Sequence, residues 1–204
     1  MKYYSQDGQD KFLVEEIFKN KSNGFYIEIG ANDGITLSNT KTLEDIGWDG
    51  VCIEPLPESY EKLKYNRSCV KHNVAISNKT GKLSFLQIDG YSEMLSGILD
   101  SYDPRHLDRV NREITHYGGS KKVIEVDCFR FSDLIDAVDI DYISIDVEGS
   151  ELDILKSINF DYHNIYCISV ENNYGSTELN EFLISKDYKH IKSIGADNFF
   201  IKNG

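Results

Sequence analysis

Short runs of β-branched and aromatic residues recur along this chain, separated by polar turns and stretches of helical periodicity. Residues 25–30 (FYIEIG), 50–54 (GVCIE), 69–76 (CVKHNVAI), 140–146 (IDYISID) and 164–171 (NIYCISVE) predict strands. Between them, 36–47, 57–66, 149–157 and 177–186 predict helices, with Ser38-Asn39 and Ser176-Thr177 as capping residues for the first and last. Strand and helix alternating at this spacing imply βαβ units and a mostly parallel sheet. The last stretch, 187–202, holds two strand-like runs split by Gly195-Ala196-Asp197 and predicts a terminal antiparallel hairpin.

Two features break the pattern. Glu28 lies inside the first apolar run, where an ionised carboxylate is seldom buried without a partner. Residues 89–120 lie between strand-like runs 83–88 and 122–127, and they are too long for a turn. Segments of that length in compact domains usually carry function. A helix over 104–116 accounts for many of the charges in this insert, which also holds Tyr91, Arg105, His106 and His116.

Composition narrows the classes. A chain of 204 residues with 40% hydrophobic and 27% charged residues suits one soluble domain with a sizeable core. The start, MKYYSQDGQDKFLVEEIF, has no apolar h-region, and no run approaches the length of a membrane span. Four cysteines lie far apart without a CxxC pair, which points to reduced thiols and a cytoplasmic setting. The net charge of −12 argues against a nucleic-acid partner. The expected partner is a small molecule or glycan, and the sequence is compatible with a homodimer.

Ligands of open α/β sheets bind beyond the carboxyl ends of the strands. Those ends here are Glu28-Ile29-Gly30-Ala31-Asn32-Asp33-Gly34, Glu54-Pro55, Ala75-Ile76-Ser77, Asp146-Val147-Glu148-Gly149 and Glu171-Asn172-Asn173. A dinucleotide site wants G-x-G-x-x-G after the first strand. This chain has G-A-N-D-G, and Asp33 would repel a pyrophosphate, which disfavours a nicotinamide-dependent oxidoreductase. An acidic loop suits a cationic ligand, and Glu54 lies where a carboxylate can take both hydroxyls of a ribose. Ribose plus cation without phosphates points to S-adenosylmethionine.

The stretches YSQDGQDKFL (4–13), FYIEIGANDG (25–34), GVCIEP (50–55), NVAIS (73–77) and above all DYISIDVEGSELDIL (141–155) resemble the FkbM-type S-adenosylmethionine-dependent methyltransferases over almost the whole chain. The resemblance implies an α/β, Rossmann-like class I methyltransferase fold: a seven-stranded, mostly parallel sheet with a C-terminal antiparallel hairpin. It implies that Glu28 faces the cofactor's amino group, that Gly30 and Gly34 let the backbone approach it, and that Asn32 contacts it. Glu54 would hold the ribose, Pro55 the adenine edge, and Ala75, Ile76 and Ser77 would border the adenine. Gln6 and Gln9 would cover the cofactor from the N-terminal arm.

The implied activity is O-methylation of a sugar, glycan or similar hydroxylated small molecule, with Tyr91, Arg105 and His106 of the insert binding the acceptor. A non-catalytic cofactor-binding or assembly module of the same fold is the competing reading, and a titration with S-adenosylmethionine followed by a turnover assay separates them. Methyl transfer needs an aligned acceptor oxygen and a way to deprotonate it. Asp146, Glu148, His106 and His116 are the candidate catalytic groups. Alternatively, Asp146, Glu171 and Asn172 would hold Mg2+ or Mn2+, as oxygen ligands suit hard cations.

Overall fold

In the computed structural model, which describes residues 1–204, two sheets share the chain. The larger has seven strands: β1 (Phe25–Ile29), β2 (Asp49–Ile53), β3 (Val70–His72), β8 (Asp139–Ile145), β9 (Asn164–Glu171), β10 (Tyr188–Ile194) and β11 (Asp197–Lys202). Their spatial order is β10-β11-β9-β8-β1-β2-β3. Only β11 runs against its neighbours, pairing antiparallel with both β9 and β10. The expected mostly parallel sheet with a terminal hairpin is therefore present.

The pleat gives this sheet two different faces. Ile27, Ile29, Val51, Ile53, Ile143, Ile145, Ile168 and Val170 face one side and join Ile154, Leu155, Leu179 and Leu183 in the largest apolar cluster. Those last four come from helices α6 (Glu151–Ser157) and α7 (Thr177–Ser185). The other face carries a row at one register, Cys52–Glu28–Ser144–Ser169, flanked by Tyr26, Tyr142 and Phe199. Helix α1 (Gln9–Phe12), which continues as a π-turn through Ile17, and α2 (Lys41–Asp45) cover that face. Thus the alternation in FYIEIG is a two-faced strand rather than a uniformly apolar one.

The second sheet, of order β4-β7-β5-β6, departs from the expected pattern. Here β4 is Ala75–Ile76, β5 Gly81–Asp89, β6 Gly97–Ile98 and β7 Ser120–Phe129. Residues 69–76, expected as one strand, divide into β3 and β4, which belong to different sheets. The break lies at Asn73, whose amide donates to the carbonyls of Glu54 and Pro55. Antiparallel β5 and β7 project Leu83 and Phe85 toward Leu56, Ala75 and Ile98 on one face. On the other, Leu86 and Ile88 pack with Leu95 and Val110 beneath helix α4 (Pro104–Tyr117).

Helix α4 lies within the long insert, as its periodicity predicts. Asp103 caps it by accepting the Arg105 N–H at 2.8 Å, and Pro104 occupies its first position. Two other helices are shorter than expected. The region 36–47 yields only α2, because residues 36–40 form a loop around Glu28, and 149–157 becomes helical only at Glu151. The remaining helices are α3 (Pro57–Asn66) and the single turn α5 (Phe131–Leu134). No helix is long and apolar enough to cross a membrane.

Candidate active site

The carboxyl ends of β1, β2, β8 and β9 open into a cavity of about 500 Å³, with Asp197 at the start of β11 on its wall. Gly30 shows why the first turn is built as it is. Its φ is +89°, and a Cβ there would collide with the Asp146 carbonyl of the neighbouring strand. Only glycine lets β1 and β8 end this close together.

At the β2 end, Glu54 is 5% exposed and lines the cavity. Its two oxygens accept the backbone N–H groups of Asn32 and Leu56, each at 2.8 Å. Burial pushes its pKa up to about 7, although those two hydrogen bonds oppose the rise. Asn32 (φ +45°), Pro55, Ala75 and Ile76 form the adjoining wall, joined by Leu56 and Val74. Ser77 does not. It turns away from the cavity, and its N–H donates to Phe129 O as β4 ends.

Glu28 lines the cavity as expected of a residue facing the ligand, and it also has partners within the protein. Its carboxylate is engaged by Ser38 Oγ, Asn39 N (3.0 Å), Thr40 Oγ1 (2.8 Å) and the Arg67 guanidinium (3.0 Å). The group expected to face the cofactor's amino group thus holds the 38–40 loop and neutralises a fully buried arginine. Gly34, unlike Glu28, does not belong to the cavity wall. Its carbonyl accepts from Arg67 Nη1, and a Cβ at its φ of +81° would meet Leu63 and Arg67.

From the N-terminal arm, Gln6 and Gln9 both reach the wall. Gln9 is buried and donates to Asp197 Oδ2 at 2.7 Å. Asp197 Oδ1, Asn39 Oδ1 and Ser150 Oγ are buried without a hydrogen-bond partner, and all three residues line this cavity. Orphaned buried polar atoms are rare and mark a place for a ligand.

Opposite Glu54 lies an acidic cluster. Oxygens of Asp146, Glu148 and Glu171 fall within 4.8 Å of one another, and all three residues line the cavity. The accessible surface of Asp146 opens into it. All three carboxyls are shifted upward, first by burial and then by one another and by Glu151 and Asp197. The turn that carries Asp146 and Glu148 is shaped by Glu151, which accepts the Gly149 N–H at 2.9 Å, while Glu148 adopts φ +61°.

Behind Glu148 lies His106. Its Nε2 is 3.0 Å from Leu95 O and must carry the proton, since a carbonyl only accepts. The bare Nδ1 lies 3.3 Å from Glu148 Oε2 and 3.3 Å from Tyr174 OH. Burial lowers the His106 pKa, so a neutral imidazole faces Glu148.

Several expected residues lie elsewhere. Asn172 is no ligand of the cluster, because its amide is spent on Ser176, accepting that N–H at 2.7 Å and donating to its carbonyl. Glu148 takes its place. His116 is exposed in the last turn of α4 against Tyr117, away from the cavity. Arg105 is held by Asp103 and lies over the Tyr174 ring; Arg109 is the insert's arginine on the wall. His106 also stands behind the wall rather than in it, whereas Tyr91 is on the rim and 71% exposed. The residues missed in the sequence are Arg67, Asp197, Ser150 and Asn39. Of these, only Arg67 had a signal, namely that a buried glutamate requires a cation.

The model of the Methyltransferase FkbM domain matches residues 28–193. A solved structure, the methyltransferase FkbM from Methylobacillus flagellatus KT, superposes with a TM-score of 0.53 at 15% identity. That match covers 88% of this chain and 44% of the other, so this chain spans less than half the length of that protein. The C-terminal domain of precorrin-6Y C5,15-methyltransferase from Rhodobacter capsulatus matches with a TM-score of 0.39 at 10% identity, covering 89% of this chain and 79% of that one. No curated protein sequence matches. Because the family match spans well over half of its residues, the chain belongs to the FkbM methyltransferase family.

Proposed function

We propose that the protein transfers a methyl group from S-adenosylmethionine to a hydroxyl of a sugar, glycan or similarly hydroxylated small molecule. The observation that carries this reading is Glu54. Two backbone N–H groups fix its carboxylate on the cavity wall, and each oxygen keeps a further lone pair. Two vicinal ribose hydroxyls fit that fork, with Pro55, Val74, Ala75 and Ile76 beside the adenine. Gly30 lets the methionine portion pass close to the backbone, and the acidic far end suits a sulfonium and an ammonium.

The acceptor enters past Tyr91 and Arg109 on the rim. Held at Glu54, S-adenosylmethionine would supply the methyl group to the acceptor oxygen and leave as S-adenosylhomocysteine, and Asp146 would take the proton of the acceptor hydroxyl. Glu148, backed by His106, fixes the neighbouring hydrogen-bonding positions. The trio Asp146, Glu148 and Glu171 also fits a divalent cation, because all its donors are oxygens and Asp197 Oδ1 and Ser150 Oγ stand unpartnered in the same cavity. Mg2+ or Mn2+ there would lower the pKa of the acceptor hydroxyl.

Two measurements test the cofactor assignment. Glu54→Ala is expected to weaken S-adenosylmethionine binding by roughly ten- to a hundredfold in isothermal titration, the loss of a charge-assisted hydrogen-bond pair. Affinity should also depend on pH, since only the ionised form accepts both ribose hydroxyls with charge-assisted bonds and Glu54 titrates near pH 7. About a tenth of the group is ionised one unit below its pKa, so affinity should rise about tenfold from pH 6 to pH 8. A flat profile, or an unchanged affinity in the variant, removes Glu54 from the ribose. Turnover on a panel of hydroxylated acceptors, with the product position mapped by NMR, tests the transfer itself.

A further inference from the structure

We infer that Cys52 and Cys69 form an oxidisable pair whose disulfide loosens the loop at the mouth of the cavity. The two sulfurs are 3.5 Å apart, although neither residue belongs to the cavity wall. Cys52 is fully buried on β2, and Cys69, half-buried, lies just before β3. The other two cysteines are differently placed: Cys128 donates to Lys79 O, and Cys167 is buried on β9.

The surroundings suit thiol chemistry. Cys69 is the outer sulfur and the one a small oxidant reaches. The Cys52 hydrogen bond leads the influences that bring its pKa down to about 7, with Tyr26 and the Arg67 charge adding to it against the effect of burial. Cys52 in turn lies 3.8 Å from Glu28 Oε2. With hydrogen peroxide as oxidant, the Cys69 thiolate attacks the O–O bond, forming an S–O bond and releasing hydroxide, which leaves as water on gaining a proton. Cys52 then attacks the sulfenic sulfur, the S–S bond forms, the S–O bond breaks, and a second water leaves. Two thiols and one peroxide give one disulfide and two waters.

The consequence follows from Arg67, two residues before Cys69. Its guanidinium donates to Glu28, to the Gly34 carbonyl, to Ser38 and to Thr40. It thereby anchors the stretch whose Thr36, Leu37, Ser38 and Asn39 line the cavity. A disulfide needs its sulfurs about 2.05 Å apart, so closing the bond draws residues 67–69 toward β2. It also takes away the Cys52 thiol, whose sulfur lies 3.8 Å from Glu28 Oε2. Both changes act on the contact that holds residues 34–40.

The test needs no ligand. Protein treated with stoichiometric hydrogen peroxide is digested and mapped by mass spectrometry, and amide hydrogen exchange is followed across residues 34–40 before and after dithiothreitol. The expected result is one linkage, Cys52 to Cys69, a fall in free thiols from four to two (4 − 2), and roughly tenfold faster exchange of the loop. Dithiothreitol should reverse all three, and Cys69→Ser should show none. Sulfinic acid at Cys69 with Cys52 untouched would overturn the pairing. A Cys52–Cys69 disulfide with unchanged exchange would overturn its link to the loop.

Discussion

Arg67→Ala is expected to cost this protein about 3–5 kcal/mol, the largest stability loss of any single polar substitution outside its acidic cluster. For a chain of this size that corresponds to a melting temperature lower by roughly 6–20 °C. The guanidinium is wholly buried, and its three nitrogens reach Glu44, Glu28, Gly34 O, Ser38, Tyr26 OH and Thr40. Alanine would leave Glu28 (4% exposed) without a cation and Glu44 with only the longer ionic contact to Lys41. Arg67→Lys should recover little, because one ammonium cannot span Glu44 on one side and Glu28 on the other.

The acid limb of the stability curve offers a second readout. Burial alone would raise Glu44, yet the hydrogen bond and charge of Arg67 outweigh it and hold the group at about 2. Its contribution is therefore complete above its unfolded value of 4.5 and is lost as pH falls toward 2. Thermal melts of the wild type and Arg67→Ala between pH 7 and pH 3 should converge. A gap that stays constant, or a loss below about 1 kcal/mol at pH 7, would show that water replaces the guanidinium.

This network also marks where the sequence stops being legible. The alternation of Tyr26, Ile27, Glu28 and Ile29 places the glutamate on one face of a buried strand, and burial of a charge demands a partner. That partner lies 39 positions away, past β2 and α3, and nothing local to either residue announces the pairing. The long-range step fails again at 69–76, where eight strand-like residues divide between two sheets because Asn73 ties the chain to the end of β2. Strand ends, by contrast, read well. Glu54, Asp146, Glu148 and Glu171 are polar residues directly after apolar runs, and topology brings all four to one cavity. Asn172 follows the same rule and still points elsewhere, since a loop amide close to a serine N–H closes its own turn.

The acidic cluster sets the second large effect. Asp146→Asn is expected to lower kcat by roughly 10²- to 10⁴-fold, the range of a lost general base or acceptor-activating group. Its effect on S-adenosylmethionine affinity should be much smaller than its effect on kcat, because in this reading Glu54 at the end of β2 keeps its hold on the ribose. The variant removes one of three mutually repelling carboxylates, so its stability should be preserved or improved. A fall in kcat with unchanged melting temperature therefore reports chemistry rather than folding.

Chelation then separates the two ways in which the cluster can act. If Asp146, Glu148 and Glu171 hold a divalent cation, EDTA abolishes turnover, Mg2+ or Mn2+ restores it, and Mn2+ titrated into the wild type loses its free-ion electron paramagnetic resonance signal. In Asp146→Asn that signal would persist at the same concentrations. If Asp146 alone takes the acceptor's proton, full activity survives EDTA and the Mn2+ signal is unaffected by the protein, while Asp146→Asn is still inactive. Three carboxylates within 4.8 Å, with no cationic side chain hydrogen-bonded to them, are the geometry that both outcomes have to explain. Such a group either shares protons or holds a cation, and chelation decides between the two.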